Sequence, residues 1–101
     1  MRNHGPMAVM EVCTFTAQED DDAVRAADAR FQTDFAYGQP GLLRRTTARG
    51  QDHRWCVVTL WATGEDAERA QAAAGGDEAA SAFWRLVDPG SIRVERFTLL
   101  G

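Results

Sequence analysis

The chain has 101 residues, of which 45% are hydrophobic and 26% are charged, and its formal net charge is −4. This length predicts a single domain over residues 1–101, ordered from about residue 8 to residue 100, and the composition excludes a disordered or a membrane-spanning chain. The acidic balance argues against a nucleic-acid partner. Seventeen of the apolar residues are alanines, so the large side chains barely suffice for a core and a partner chain is expected.

The cysteines and histidines predict neither a metal site nor a secreted protein. Cys13 and Cys56 lie far apart within apolar runs and form no Cys-x-x-Cys pair, so we expect buried thiols in a reducing compartment. The two histidines have no carboxylate at ligand spacing, and no metal is expected. The absence of a long apolar stretch or a signal-like start favours a cytoplasmic location.

Six elements follow one another along the chain. β-branched and aromatic residues predict a first strand over 8–17, and apolar residues three or four positions apart predict a helix from 18–22 to about Tyr37. Further patterns predict a second strand over 42–49, a hairpin turn over 50–53, a third strand over 54–62, a helix in two parts over 63–74 and 77–87, and a fourth strand over 91–100. This β-α-β-β-α-β order is that of the ferredoxin-like α+β fold, in which two helices cover one face of an antiparallel four-stranded sheet.

The third strand is apolar on both of its faces. The two alternating sets are Trp55, Val57, Thr59 and Trp61 on one face and Cys56, Val58, Leu60 and Ala62 on the other. A strand with one face in water alternates apolar with polar residues, and two helices can cover only one face. The favoured interpretation is a homodimer whose sheets pack face to face, with a concave, partly apolar cavity inside each sheet. The alternative is that long side chains of neighbouring strands shield the second face.

Several short segments resemble the antibiotic biosynthesis monooxygenase family. They are Pro-Gly-Leu at 40–42, Thr-Leu-Trp-Ala at 59–62, Gly-Glu-Asp-Ala at 64–67 and the closing Val-Glu-Arg-Phe at 94–97. The resemblance covers roughly residues 8–100 and implies a dimeric α+β barrel. It also implies a cavity for a small aromatic or polyketide-like molecule, to which oxygen is added without flavin, haem or metal, so that no cofactor is needed.

The family pattern is matched at one position of the implied pocket and missed at two. Trp61 stands where the family tryptophan stands, and the resemblance implies that it shapes the pocket. Val57 occupies the place where some members carry an asparagine, and Ala70 and Gln71 lie where a histidine is often found. A second hypothesis therefore stays open, a non-catalytic module on the same scaffold that binds a small molecule or a protein.

Five further residues are candidates for the site. Tyr37 at the end of the first helix, or an arginine of the second strand, would polarise the substrate. Arg44 and Arg45 are adjacent, so one of them faces the barrel, where it needs a paired or bound anionic group. Trp55 is a candidate for ligand contact as well as for the core or the dimer interface. His53 lies in the hairpin turn and serves as a base only if the hairpin folds over the cavity mouth.

Overall fold

The computed structural model describes residues 7–100, so the first six residues of the predicted domain and Gly101 lie outside it. The helices and strands are β1 (Val9–Thr16), α1 (Asp21–Asp34), β2 (Leu42–Arg49), β3 (Arg54–Trp61), α2 (Gly64–Ala74), α3 (Glu78–Trp84) and β4 (Arg93–Thr98). Within this range, no helix combines the length and the apolar character that crossing a membrane requires.

The strands form one antiparallel sheet in the order β2-β3-β1-β4. This is the ferredoxin-like order, so the predicted fold class is confirmed. The central strands β1 and β3 pair along their whole length, from Val9 opposite Trp61 to Thr16 opposite Arg54. Because side chains alternate along each strand, this register puts Val9, Phe15, Trp55 and Trp61 on the same face.

Each helix begins at a side chain that accepts a hydrogen bond from a backbone N–H three residues later. These N-caps are Asp20, Thr63 and Asp77. Capping satisfies one of the free N–H groups at a helix start and stabilises the helix by about 1 kcal/mol. Gly75 and Gly76 separate α2 from α3, in agreement with the two-part helix that the sequence predicts.

The core lies between the helices and one face of the sheet. Its larger part surrounds Phe15 and Phe83, which are fully buried and meet edge to face with ring centroids 5.6 Å apart. A second part joins Trp61 to two buried alanines of α2, Ala67 and Ala70. The helices thus cover the sheet face that carries Trp55 and Trp61. The opposite face carries Cys56, Val58 and Leu60, and we call it the open face.

Candidate functional site

A cavity of about 190 Å³ lies between the helix-facing side of the sheet and the helices. Small side chains leave this space, because α2 turns Ala67, Ala70 and Ala74 towards it. Three lining residues are exposed, Gln71, Trp84 and Val94. Trp84 and Val94 mark the mouth of the cavity beside β4. The sequence predicts a concave cavity inside each sheet, and the structure places this cavity within one chain, on the side of the sheet that the helices cover.

A row of four polar residues crosses the sheet under the helices, one from each strand. In the order of the strands they are Arg45, Thr59, Glu11 and Arg96, each opposite the next in the strand register. The first three belong to the cavity wall. Since adjacent strands lie about 4.8 Å apart, the backbones of Arg45 and Glu11 are separated by about 10 Å. The remaining wall is mainly apolar, so these residues provide most of its polar groups.

Trp61 lies in the cavity wall with its indole fixed by Glu11. The indole N–H donates a hydrogen bond to Glu11 Oε1 at 3.1 Å, and Trp61 is buried. Arg96 donates to Glu11 Oε2 through Nη2 at 2.8 Å and through Nε at 3.2 Å. These hydrogen bonds raise the pKa of the Arg96 guanidinium. The carboxylate therefore holds the indole in one orientation while its own charge is balanced.

Glu11 is a residue of the site that the sequence analysis missed. The available signal was a single glutamate within the apolar first strand. Such a residue on a central strand needs a partner when the helices cover its face. Its partners are Trp61 and Arg96, which lie 50 and 85 positions away in the sequence, so the grouping depends on the sheet order rather than on a local motif.

Of the two adjacent arginines, Arg45 faces the cavity and Arg44 lies on the open face. The Arg45 side chain is 4% exposed, and its Nη2 lies 2.8 Å from Oδ1 of Asp28 on α1. Its guanidinium carbon also lies 4.7 Å from the centroid of the Phe31 ring. The expected anionic partner of an inward arginine is thus a side chain of α1, and Arg45 presents a positive but compensated group to the cavity.

Three other candidates lie outside the cavity wall. Tyr37 is 63% exposed, and its hydroxyl accepts a hydrogen bond from the Gln32 amide at 2.7 Å. Trp55 is buried in the core, where its indole N–H has no partner among the residues that the structure describes. His53 lies in the β2–β3 turn with a positive φ of 63°. That turn is four residues of strand, roughly 13 Å, away from Val57 in the cavity wall.

The part of the cavity wall next to the polar row, formed by Val57, Cys13 and Val94 on neighbouring strands, is apolar. Val57, at the position where some family members carry an asparagine, is buried opposite Cys13. Burial raises the pKa of the Cys13 thiol to about 11, so Cys13 is protonated at neutral pH and is not a nucleophile. In residues 7–100, no group of three or more His, Cys, Asp and Glu side chains is arranged to hold a metal ion.

Comparison with known proteins gives matches in structure alone, since no protein-family model and no curated protein sequence matches the chain. SnoaB of Streptomyces nogalater, a cofactor-independent oxygenase, is 26% identical with a TM-score of 0.78, and the match covers 94% of this chain and 95% of SnoaB. A Caulobacter crescentus protein provisionally assigned as an antibiotic biosynthesis monooxygenase is 16% identical with a TM-score of 0.76, over 95% and 92% of the two chains. A dimeric ferredoxin-like protein of an uncultured marine organism is 13% identical with a TM-score of 0.67, over 94% and 90%.

These matches span nearly the whole described chain and nearly the whole of each neighbour. The two neighbours with lower identity show the fold alone, whereas SnoaB combines the fold with a somewhat higher identity. The resemblance to the antibiotic biosynthesis monooxygenase family that the sequence carries is therefore confirmed by the solved structures.

Proposed function

We propose that this protein is a cofactor-independent oxygenase that acts on a small aromatic or polyketide-like molecule in the cavity beside Trp61. The observation that carries the proposal is the buried indole in the cavity wall, at the position of the family tryptophan, with its N–H held by Glu11. The likeness to SnoaB, a cofactor-independent oxygenase, supports the reaction class.

The proposed reaction converts an activated methylene carbon into a carbonyl. The carbon loses two hydrogens and gains one oxygen atom of O₂, and the second oxygen atom leaves as water. Loss of a proton gives a carbanion, which reduces O₂ by one electron, and the two radicals then combine to a peroxide that breaks down to the carbonyl. The apolar wall limits the access of water to these species, and the guanidinium of Arg45 stabilises the negative charge that develops.

The size of the cavity limits the part of a substrate that fits inside. Typical ligand pockets measure about 300 Å³ or more, whereas a dry cavity of about 150 Å³ holds a benzene ring. The 190 Å³ cavity therefore favours one ring beside Trp61. The rest of a larger substrate would extend through the mouth between Trp84 and Val94.

We also propose that the protein is a cytoplasmic homodimer. The open face of the sheet carries an apolar set that no helix of residues 7–100 covers, namely Met10, Val12, Cys56, Val58, Leu60 and Phe97. A second copy packed on this face would remove the set from water. One of the structural neighbours is described as a dimeric ferredoxin-like protein, and the two free cysteines fit a reducing compartment.

A second candidate function is that of a non-catalytic module that binds a small molecule. The specific observation in its favour is Val57, which brings no hydrogen-bonding group to the centre of the cavity wall. Tyr37, the other candidate for polarising a substrate, lies outside that wall. In this case a ligand binds in the cavity and oxygen is not consumed.

Oxygen uptake on a panel of anthrone-like and quinol-like compounds separates the two functions. We expect uptake above the uncatalysed rate with the native protein and a loss of at least tenfold for Trp61→Phe, because the indole N–H and part of the cavity wall are removed. Trp55→Phe makes the same change in a buried indole outside the cavity and is expected to stay within about twofold.

Two outcomes contradict the oxygenase function. One is native protein that consumes no oxygen with any compound of the panel, which together with measurable binding supports the non-catalytic module. The other is equal uptake by the native protein and Trp61→Phe, which removes Trp61 from the reaction. Melting curves of both tryptophan variants show whether a lost rate reflects lost folding.

A further inference from the structure

We propose that Glu11 binds a hydroxyl group of the ligand, so that the cavity selects phenols and enols over rings without a hydroxyl. This role of Glu11 deepens the proposed function and rests on one part of it, namely that the cavity under the helices is the ligand site. It concerns a residue that makes contact with the ligand, in the middle of the polar row and next to Trp61.

The hydrogen bonds of Glu11 leave one acceptor position open. A carboxylate offers about four lone-pair sites, two on each oxygen. Oε2 accepts both hydrogen bonds from Arg96. Oε1 accepts the indole N–H of Trp61, and among the described residues no second donor reaches it. Since Glu11 belongs to the cavity wall and its side chain is 21% exposed, the remaining site on Oε1 is available to a ligand.

The charges around Glu11 favour a neutral hydroxyl over a cationic group. Arg96 already balances the carboxylate, with Nη2 at 2.8 Å. Arg45 adds a second guanidinium to the same row, separated from Glu11 by Thr59. A positively charged ligand would meet both guanidiniums, whereas a hydroxyl needs only the one free acceptor. The apolar wall around the row suits an aromatic ring.

This contact also suits the proposed reaction. A hydrogen bond from a hydroxyl to an ionised carboxylate is roughly twice as strong as a bond between neutral groups. It shifts electron density from the O–H bond into the ring and makes the ring a better electron donor to O₂. Glu11 would thus both orient the ring beside Trp61 and prepare it for oxidation.

The test compares two ligands of the same shape, p-cresol and p-xylene, which differ by a hydroxyl in place of a methyl group. Binding is followed by NMR through the indole N–H signal of Trp61, which is assigned with the Trp61→Phe variant. We expect Glu11→Gln to weaken the binding of p-cresol about tenfold, because a hydrogen bond to a charged group is lost. The affinity for p-xylene should stay within about twofold.

Glu68→Gln is the matched control. Glu68 is the second carboxylate on Arg96, at 3.4 Å, but its side chain is 71% exposed and lies outside the cavity wall. This variant should keep the preference for p-cresol. If Glu11→Gln does not fold, Glu11→Asp replaces it, since aspartate keeps the charge but does not reach the same position.

Three results overturn the inference. They are native protein that binds no p-cresol, a Glu11→Gln variant that keeps its p-cresol affinity, and equal losses for both ligands. Oxygen uptake is measured separately on the same variants. Absent uptake with an intact p-cresol preference contradicts the oxygenase function alone, whereas full uptake of a hydroxylated substrate by Glu11→Gln contradicts only the role of Glu11.

Discussion

At the scale of single residues, Cys13 shows how the covered face of the sheet controls an ionisable group. Burial raises the pKa of its thiol to about 11, with smaller contributions from Cys56 and Glu11, while Arg45 acts in the opposite direction. The thiolate is the reactive form. In a Cys56→Ser variant at pH 8, we therefore expect Cys13 to react with a disulfide reagent at least about tenfold more slowly than an ordinary thiol. This figure allows for the fact that a thiolate of higher pKa is the better nucleophile, which offsets part of the effect of its smaller thiolate fraction.

The same variant unfolded in urea is the matched control for this rate. Equal rates in the folded and the unfolded protein at pH 8 would contradict the raised pKa. The shift also makes stability depend on pH. The unfolded chain releases the thiol proton near pH 9 and the folded chain near pH 11. The contribution of Cys13 to stability is thus fully present below about pH 9 and is lost as the pH rises to about 11.

The residues of the site differ in how far the sequence could predict them. Trp61 is singled out by the resemblance to the family, and the structure places it in the cavity wall, while its role there stays a prediction. For Arg44 and Arg45, alternation along a strand predicts that one side chain faces the cavity, but it does not predict which one. A register irregularity between Leu42 and Arg44 shifts the alternation by one residue, so that Arg45 is the arginine on the cavity side. Glu11 could not be assigned because its partners come from β3 and β4.

At the scale of elements, Gly41 joins the start of β2 to the start of α2. Its φ is 85°, and a Cβ atom at this position would overlap the carboxyl group of Asp66. Its carbonyl also accepts a hydrogen bond from the N–H of Ala62 at 2.8 Å. We expect Gly41→Ala to destabilise the protein by about 2 kcal/mol, from backbone strain and the clash together. The melting temperature should fall by roughly 10 °C.

Gly38→Ala is the control for this substitution, since a Cβ at Gly38 meets no atom within 4 Å. It should be neutral or slightly stabilising, because alanine lowers the entropy of the unfolded chain. Melting curves followed by circular dichroism measure both variants. A Gly41→Ala protein that melts with the native one would contradict the role of Gly41 in the connection.

Most elements of this fold follow from local patterns. The four strands and the break at Gly75–Gly76 lie close to their predicted positions, because strand periodicity and paired glycines act locally. The cavity could not be predicted in the same way. It depends on how far α2 stands from the sheet when Ala67 and Ala70 pack beside Trp61, and that distance is set by contacts between elements that are distant in sequence.

At the scale of the whole molecule, the open face of the sheet is the surface on which no helix of residues 7–100 packs. Val58 lies at its centre, between Val12 of β1 and Thr46 of β2. The apolar character of both faces of β3 is visible in the sequence. The structure adds which face the helices take, because Trp55 and Trp61 pack under them. The face that remains is therefore the one on which the proposed homodimer depends.

The dimer is tested by a charge placed at the centre of the open face. The native protein at micromolar concentration should have twice the 11.1 kDa mass of one chain by light scattering. Val58→Arg should reduce it to the mass of one chain, because an arginine buried between two apolar sheets has no partner. Ala26→Arg, on the exposed side of α1, should leave the dimer intact.

A native protein with the mass of one chain would contradict the homodimer, and circular dichroism shows whether each variant is folded. Because the cavity lies within one chain, the monomeric Val58→Arg protein should still bind a ring beside Trp61.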